Sequence, residues 1–340
     1  MENDLTNITD KISNIIFESG SSGKDSIYNR LKGFPKFLMF AIAFLLISLL
    51  IRISEVESAL DFPFNIGPTL HNSIDSGIDW VVINFGWIFD VVSDFLKLCI
   101  GKLRDFLTWI PWPVFIAVVA LLAWRVSTRR VAIGSTIGLL AMASVNLWDP
   151  VMVTVSILLI AVTVTIAIGI PIGIVAAKND FADGVIRPIL DAMQTMPSFV
   201  YLIPGIMLFG LGNVAAVLAT FLYAVPPCIR LTNLGIRQVD PSVVEAGRSF
   251  GSTSLQLLLK VQIPMAIPTI MAGINQTIMM ALGMVVIAAM VGAGGLGIEV
   301  LRSMGQLEQG EAFVAGTAIV IMAIIIDRIS HGFILQKSKI

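Results

Sequence analysis

Long apolar runs, separated by short polar segments, dominate the chain from about residue 36 to residue 334. A helix needs about 20 consecutive apolar residues to cross a bilayer, and continuous runs of that length favour spanning helices over alternating strands. The runs predicted as spans are residues 36–53, 111–126, 130–147, 151–177, 187–209, 212–229, 264–291 and 313–334. The pattern therefore predicts an all-α polytopic membrane protein with about eight transmembrane helices.

The composition supports a membrane protein. Hydrophobic residues make up 56% of the chain and charged residues only 13%, with a mean hydropathy of +0.89. This is too little polar surface to cover a soluble globule of 340 residues. Membrane lipid is therefore an expected neighbour. The net charge is −1, and the sequence has no stripe of basic residues with interleaved aromatics, so nucleic acid is not an expected partner.

The clusters of basic residues beside the predicted spans all fall on one side of the membrane if the amino terminus is inside. They are Lys24, Arg30, Lys32, Lys36, Arg125, Arg129, Arg130, Lys178, Arg187, Arg230, Arg237, Arg248, Lys260, Lys337 and Lys339. The opposite side receives Asp149, the 210–213 turn and the acidic 299–311 loop. Because Lys and Arg beside spans stay on the cytoplasmic side, both termini are predicted to be cytoplasmic.

The predicted organisation has five parts. Residues 1–33 are polar and predict a disordered cytoplasmic tail, and residues 335–340 a second, short tail. Residues 34–110 hold an anchor span and an amphipathic segment, 111–147 two accessory spans, and 148–334 the core of spans that contains the polar insert. Within 72–98, apolar residues recur at helical spacing opposite several Asp side chains, which predicts a helix lying along the outer interface. This helix is either a scaffold or landing surface for a binding protein or simply a brace for the spans.

A polar insert lies between two of the most apolar runs. The stretch from residue 240 to residue 264, which contains most of it, reads DPSVVEAGRSFGSTSLQLLLKVQIP. Asp240 is a favoured N-cap and Pro241 suits the first helical position, so a short helix is predicted from there to about Phe250. Gly251 predicts the end of that helix.

A second short helix is predicted directly afterwards. Thr253 and Gln256 have the spacing of a capping box, and Pro264 is predicted to open the next span. The insert as a whole covers residues 238–260 and lies on the side predicted to be cytoplasmic.

The insert resembles the EAA signature of the membrane subunits of binding-protein-dependent ABC importers. The matching positions are Glu245, Ala246, Gly247, Gly251, Val261, Ile263 and Pro264, with Gly247 where Ala is usual. Segments 187–204 and 267–297 are similar to glycine betaine and proline betaine permease subunits, and the resemblance covers about residues 70–334.

This resemblance implies the transmembrane fold of a type I ABC importer, with the insert as its coupling helix. It also implies the bacterial cytoplasmic (inner) membrane as the location, and four kinds of neighbour. A second copy of this chain would complete a homodimer that forms the pathway, and an extracytoplasmic binding protein would deliver the solute. A cytoplasmic ATPase would bind ATP and magnesium, and membrane lipid would surround the spans.

The resemblance also assigns roles within the insert. The first helix would dock in a groove of the ATPase, with Glu245 paired to a basic residue there. The ATPase-coupling residues implied in this way are Glu245, Ala246, Gly247, Arg248, Gly251 and Pro264. An intrahelical ion pair of Glu245 with Arg248 is the structural alternative, and such pairs contribute only about 0.2–0.5 kcal/mol.

The solute implied by the resemblance is glycine betaine, with proline betaine or proline as related choices. A permease for another small solute is one alternative. A gradient-driven secondary transporter is another, but it would be expected to show inverted repeats and intramembrane carboxylates. Asp191 is the candidate for such a carboxylate.

Polar residues within the spans are the candidate pathway or gate. They are Asn275, Gln276, Gln194, Thr195 and Tyr201. A polar side chain in hydrocarbon must find a partner or face a wet cavity. Interhelical hydrogen bonding and aromatic packing are the alternative roles, so the sequence leaves both open.

Neither catalysis nor nucleotide binding is predicted for this chain. Residues 292–297, GAGGLG, have dinucleotide-site spacing but follow a membrane helix instead of a strand. His71 and His331 lie far apart in the predicted topology, and the sequence shows no metal-ligand or nucleophile-base spacing. No catalytic residue, metal or cofactor is expected, so ATP hydrolysis would belong to a separate subunit.

Overall fold

The computed structural model describes residues 38, 40–50, 52 and 65–337, with side chains as far as residue 333. Residue contacts divide the chain into two units, Met1–Ser76 and Gly77–Ile340. The tail predicted at residues 1–33 lies outside the described residues. The tail predicted at 335–340 is described only to Lys337, which still belongs to the last helix.

The described residues are helical, joined by short turns. Helices α1–α6 are Phe40–Leu50, Gly67–Trp109, Trp112–Val126, Arg129–Ser144, Trp148–Lys178 and Asp180–Thr195. Helices α7–α10 are Leu202–Phe209, Asn213–Arg237, Pro241–Ser249 and Ser254–Leu257. Helices α11–α13 are Ile263–Ile287, Leu296–Gly305 and Gln309–Lys337. Short 3-10 turns at Ser198–Tyr201 and Ala288–Val291 and a π turn at Leu258–Gln262 complete the described chain.

Four helical segments are long and apolar enough to cross a membrane, or up to six if each of two bent pairs counts as one span. The four are Trp148–Lys178, Asn213–Arg237, Ser254–Val291 and Gln309–Phe333. Four to six spans are therefore counted in the described residues, where about eight are predicted for the chain, and the first predicted span, 36–53, is described only in part. Segments 111–126 and 130–147 form helices of 15 and 16 residues, which extend only about 22–24 Å against a hydrocarbon core of about 30 Å.

The predicted span 187–209 corresponds to one of the two bent pairs. Helix α6 ends at Thr195, and the following segment Ser198–Phe209 turns away by 114°. The cause is Pro197, which drives the residue before it out of helical conformation; Met196 has ψ of 138°. The amphipathic segment predicted at 72–98 does form a helix, the longer α2, which meets α3 at a bend of 101°.

Helix α8 is the centre of the core, with α5 on one side and α11 on the other. Close approach of α5 depends on two glycines one turn apart. A Cβ on Gly169 would lie 2.8 Å from the Cys228 sulfur, and one on Gly173 would lie 2.8 Å from the Ile229 carbonyl oxygen. Small residues allow helix backbones to pack closely in membranes, so Gly169 and Gly173 position α5 against α8.

Candidate functional site

The insert is built as its local sequence predicts. The Asp240 carboxylate accepts a hydrogen bond from the Ser242 amide at 2.8 Å, and helix α9 begins at Pro241. At the other end Gly251 has φ of +77° and donates its amide to the Arg248 carbonyl at 2.9 Å. The next amide, that of Ser252, reaches the Gly247 carbonyl at 3.2 Å. This pair of bonds is the Schellman motif, which closes a helix at a left-handed glycine.

A capping box opens the second short helix. The Thr253 amide donates to Gln256 Oε1 at 2.9 Å, and the Gln256 amide donates to Thr253 Oγ1 at 3.3 Å. Pro264 is the second residue of α11, as predicted, but α11 is continuous with the two short helical segments before it. The helical run starts ten residues earlier, at Ser254, and continues to Val291. The π turn at Leu258–Gln262 shifts the hydrogen-bond register just before the proline, which has no amide to donate, so the helix passes through it.

The outward surface of α9 carries charge and one aromatic ring. Glu245, Ala246 and Arg248 are exposed, and Phe250 is 90% exposed. Glu245 and Arg248 form no ion pair with each other or with any other described residue. The intrahelical pair that would give Glu245 a purely structural role is therefore not present.

The inward surface of the insert is packed against the core. Leu257 and Leu258 are 5% and 7% exposed, and Leu258 belongs to a cluster with Ile236, Ala266 and Ile270. This cluster joins the insert to the ends of α8 and α11. The exposed face of the insert is therefore supported by a buried one.

Gly247 lies against this buried side. A Cβ there would come within 2.7 Å of Leu257 Cδ1. Its small size therefore brings α9 close to α10 within the insert, in addition to any role at a partner surface.

Charged side chains connect the insert and the chain directly before it to the turn between α5 and α6. Arg237, in the last turn of α8, donates to Asp180 Oδ1 at 2.7 Å and to the Ala176 carbonyl at 2.8 Å. Lys178, in the last turn of α5, donates to the Ser254 carbonyl at 3.1 Å. None of these residues was assigned a role from the sequence. Their positions at helix ends, where charge complements the helix dipole, are the signal that could have identified them.

The predicted pathway residues do not form one cluster. Ser330 donates to Asn275 Oδ1 at 2.6 Å, so Asn275 joins α11 to α13. The Tyr201 hydroxyl donates to the Met193 carbonyl, across the bend, and its ring packs edge-on against Tyr223 at 5.7 Å. These contacts are the interhelical hydrogen bonding and packing that the sequence left as the alternative.

The other three predicted residues are exposed in the single chain. Gln194 and Thr195 lie in the last turn of α6, not in the first turns of a span, and Gln276 faces outward from α11. Thr195 returns its hydroxyl to the Ala192 carbonyl at 2.9 Å. The described surface therefore leaves two amides, those of Gln194 and Gln276, open to a partner or to water.

Among the described residues no group of three or more His, Cys, Asp or Glu side chains lies close enough to hold a metal ion. The site is a rigid, exposed helix mounted on a bundle of membrane-length helices.

This architecture and its sequence match known transport proteins. The family model described as "Binding-protein-dependent transport system inner membrane component" matches residues 169–337. The glycine betaine/proline betaine transport system permease protein ProW of Escherichia coli is 47% identical over 263 residues, 77% of this chain and 74% of ProW. The chain belongs to this family.

A second relative and a solved structure extend the comparison. The permease is 46% identical over 270 residues to the glycine betaine transport system permease protein OpuAB of Bacillus subtilis, covering 79% of this chain and 96% of OpuAB. An inward-facing structure of the MetNI methionine ABC transporter shares the fold, with a TM-score of 0.50 and 20% identity over 54% of this chain and 92% of that one. The chain is thus a multi-pass transport subunit with the fold of a type I ABC importer, and such a permease is not itself catalytic.

Proposed function

We propose that this chain is the permease subunit of an ATP-driven importer of glycine betaine or a related compatible solute such as proline betaine or proline. The observation that carries the proposal is the identity of 46–47% to two permeases of glycine betaine transport systems, over more than three quarters of the chain. ATP and magnesium would be bound by a separate cytoplasmic ATPase, and the solute would arrive on an extracytoplasmic binding protein.

The coupling role falls to α9. Its exposed Glu245 and Arg248, which form no ion pair with other described residues, support docking in a groove on the ATPase. Caps at both ends hold the helix in one conformation before it binds, which lowers the ordering cost of association. Ala246 keeps the outer approach close, while Gly247 and Gly251 shape the insert itself. Pro264 lies where the insert meets the span, so movement of the ATPases would reach the span at this residue.

The proposed complex contains two copies of this chain in the bacterial inner membrane, with both termini in the cytoplasm. The insert lies on the same side as the basic residues beside the spans, which supports a cytoplasmic ATPase. Residues 148–334 would form the translocation core, with residues 34–110 as an anchor and outer-face segment and 111–147 as accessory spans. Gln194, Thr195 and Gln276 would line the pathway or gate, while Asn275 and Tyr201 would hold its walls.

Uptake of radiolabelled glycine betaine into proteoliposomes tests the proposal. The vesicles would hold this chain, its candidate ATPase and its candidate binding protein, with or without enclosed ATP. We expect uptake only with ATP. Uptake without ATP would favour the gradient-driven alternative, and ATP-dependent uptake of other solutes with none of glycine betaine would contradict the substrate assignment.

A graded pair of variants tests the docking helix. Glu245→Gln removes the charge and Glu245→Lys reverses it, and because the side chain is exposed neither should disturb the fold. Since breaking a charge pair across an interface commonly costs about 2–5 kcal/mol, the reversal should weaken assembly with the ATPase by at least about tenfold and the neutral variant by less. Unchanged assembly and uptake in Glu245→Lys would refute the docking role.

A further inference from the structure

The turn between α5 and α6 is fastened to the insert and to the chain directly before it, and four charged side chains form this connection. We call Lys178, Asp180, Asp183 and Arg237 the clamp. Arg237 lies three residues before the insert's N-cap, Asp240. Lys178 holds the carbonyl of Ser254, at the start of the insert's second helix, 76 residues away along the chain. The chain is therefore bonded to the membrane core directly before the insert, at Arg237, and again within the insert, at Ser254.

Arg237 is the most heavily bonded member of the clamp. Its guanidinium donates to Asp180 Oδ1 at 2.7 Å, to the Ala176 carbonyl at 2.8 Å and to Asn233 Oδ1 at 2.9 Å. A planar guanidinium bonded on three sides is fixed in orientation, unlike a single surface ion pair. Arg237 therefore joins the end of α8 to the end of α5 and the start of α6 at once.

Asp183 is the nearly enclosed member, with a side chain only 13% exposed. It accepts hydrogen bonds from Asn233 at 2.6 Å and Arg187 at 2.7 Å, and Arg237 lies 3.7 Å away. A carboxylate removed from water requires such partners, so its presence here binds the first turn of α6 to the last turns of α8.

Helix dipoles reinforce the clamp. Asp180 and Asp183 lie in the first turn of α6, whereas Lys178 and Arg237 lie in the last turns of α5 and α8. Each charge is therefore at the helix end that favours its sign. The clamp contacts hold together the end of α5, the start of α6, the end of α8 and the start of α10.

We propose that the clamp makes the α5–α6 turn move together with the insert, and that α6 carries this movement to the candidate gate. At its other end α6 bears Gln194 and Thr195, and it turns there by 114° into Ser198–Phe209. The inference rests on the proposed function, since it explains how motion of an ATPase-bound insert reaches the membrane. The four clamp residues are positioning residues and contact no solute.

The first test measures the number of solute molecules taken up per ATP hydrolysed by the reconstituted complex. Lys178→Met with Arg237→Gln keeps most of both side-chain stems but removes the ties to the insert. We expect normal co-purification with the ATPase and at least about a fivefold fall in this ratio, the lower end of ordinary coupling between sites. Arg187→Gln is the matched control, because it also removes a positive charge beside Asp183 but leaves the insert attached.

A second test separates coupling from stability. In a Cys99→Ala, Cys228→Ala background, Lys178→Cys and Ser254→Cys are joined by a short bifunctional maleimide. With Arg237 present, the cross-link should leave uptake intact, because the two points move together. In an added Arg237→Gln background, the same cross-link should restore at least half of the lost ratio. Because a cross-link also stabilises the folded chain, the thermal unfolding temperature of each protein is measured as well, and a ratio that merely follows this temperature would contradict the inference.

Several results would overturn the inference. An unchanged ratio in the double variant, an equal fall in Arg187→Gln, failure of the two cysteines to cross-link, or loss of uptake on cross-linking with Arg237 present would each do so. If the double variant does not assemble, the cross-linking result decides alone. Failure of the proposed function is distinguishable, since the unaltered complex would then show no ATP-dependent uptake.

Discussion

Two segments of the permease turn at a glycine with positive φ, one on the surface of the insert and one inside the core. In the insert, Gly251 has φ of +77°, and a Cβ there would meet no atom within 4 Å. In the segment Gly292–Gly297, Gly295 has φ of +98°, and a Cβ would lie 2.3 Å from Thr154 Oγ1. Gly251 is needed for its backbone conformation alone, whereas Gly295 is needed both for its conformation and for close contact with α5.

The bonds that hold the two segments differ in the same way. The amides around Gly251 bond to residues three to five positions away, such as Arg248 and Gly247. In the other segment, the Leu296 amide bonds to Thr154 Oγ1 at 2.8 Å, across 142 residues of chain. The Gly294 amide bonds to Asn213 Oδ1 at 2.9 Å, across 81 residues. The exposed segment is thus a handle built locally, and the buried one a joint between α5, α8 and α12.

The largest effect is expected at the buried joint. Gly295→Ala adds backbone strain and a steric overlap with Thr154, each costing roughly 1–3 kcal/mol. We expect a marked fall in the thermal unfolding temperature of the purified permease. Gly310→Ala, where a Cβ meets nothing within 4 Å, is the control and should leave that temperature unchanged. Equal behaviour of the two variants would contradict the comparison.

A smaller loss of stability is expected from a variant that keeps the shape of the joint but removes one of its hydrogen bonds. Thr154→Val leaves the buried Leu296 amide without its acceptor, at a cost of about 1–3 kcal/mol in the free energy of unfolding. Thr165→Val is the matched control, because that buried hydroxyl bonds only to the Ala161 carbonyl of its own helix. Denaturant titration of both variants should rank Thr154→Val as clearly the less stable.

A change at Gly251 is expected to disturb the insert locally and to leave the stability of the whole fold almost unchanged. Gly251→Ala places a Cβ in a left-handed conformation at a cost of about 1–2 kcal/mol, with no steric overlap. We expect faster amide exchange in residues 247–252, weaker assembly with the ATPase and an almost unchanged unfolding temperature. Gly251→Asn should be tolerated better, since Asn adopts this conformation more readily. A global loss as large as that of Gly295→Ala would refute the distinction between handle and joint.

The smallest effect concerns the pH dependence of the insert. Hydrogen bonds from the Ser242 hydroxyl and amide hold the pKa of the Asp240 carboxyl below its usual range. Because the folded pKa is lowered, this contribution to the stability of α9 is fully present above the unfolded pKa. It is lost as pH falls through the folded pKa.

The Ser242 amide provides the measurement. Its exchange protection should fall at acidic pH in the natural protein and stay flat in Asp240→Asn, which caps the helix without titrating. A fall of equal size in both proteins would show that the carboxylate is not responsible.

Sequence reasoning succeeded where bonding partners are near neighbours. The helix bounds of the insert, its stop at Gly251 and the Thr253–Gln256 capping box are all confirmed. It did not give the size of the bend within 187–209, where Pro197 keeps Met196 out of helical conformation and the chain turns by 114°. It did not predict the π turn at Leu258–Gln262, which joins the insert's second helix to α11.

The sequence by itself determined that the permease is a bundle of apolar helices with a capped polar insert, because hydropathy and caps depend on composition and on residues within one or two turns. Only the tertiary structure decided which polar residues act together. Lys178, Arg237 and Thr154 acquire their roles from partners 57 to 142 residues away, brought close when glycines allow helices to pack. No local pattern records such a distance, since the contacts exist only after the helices have packed against α8.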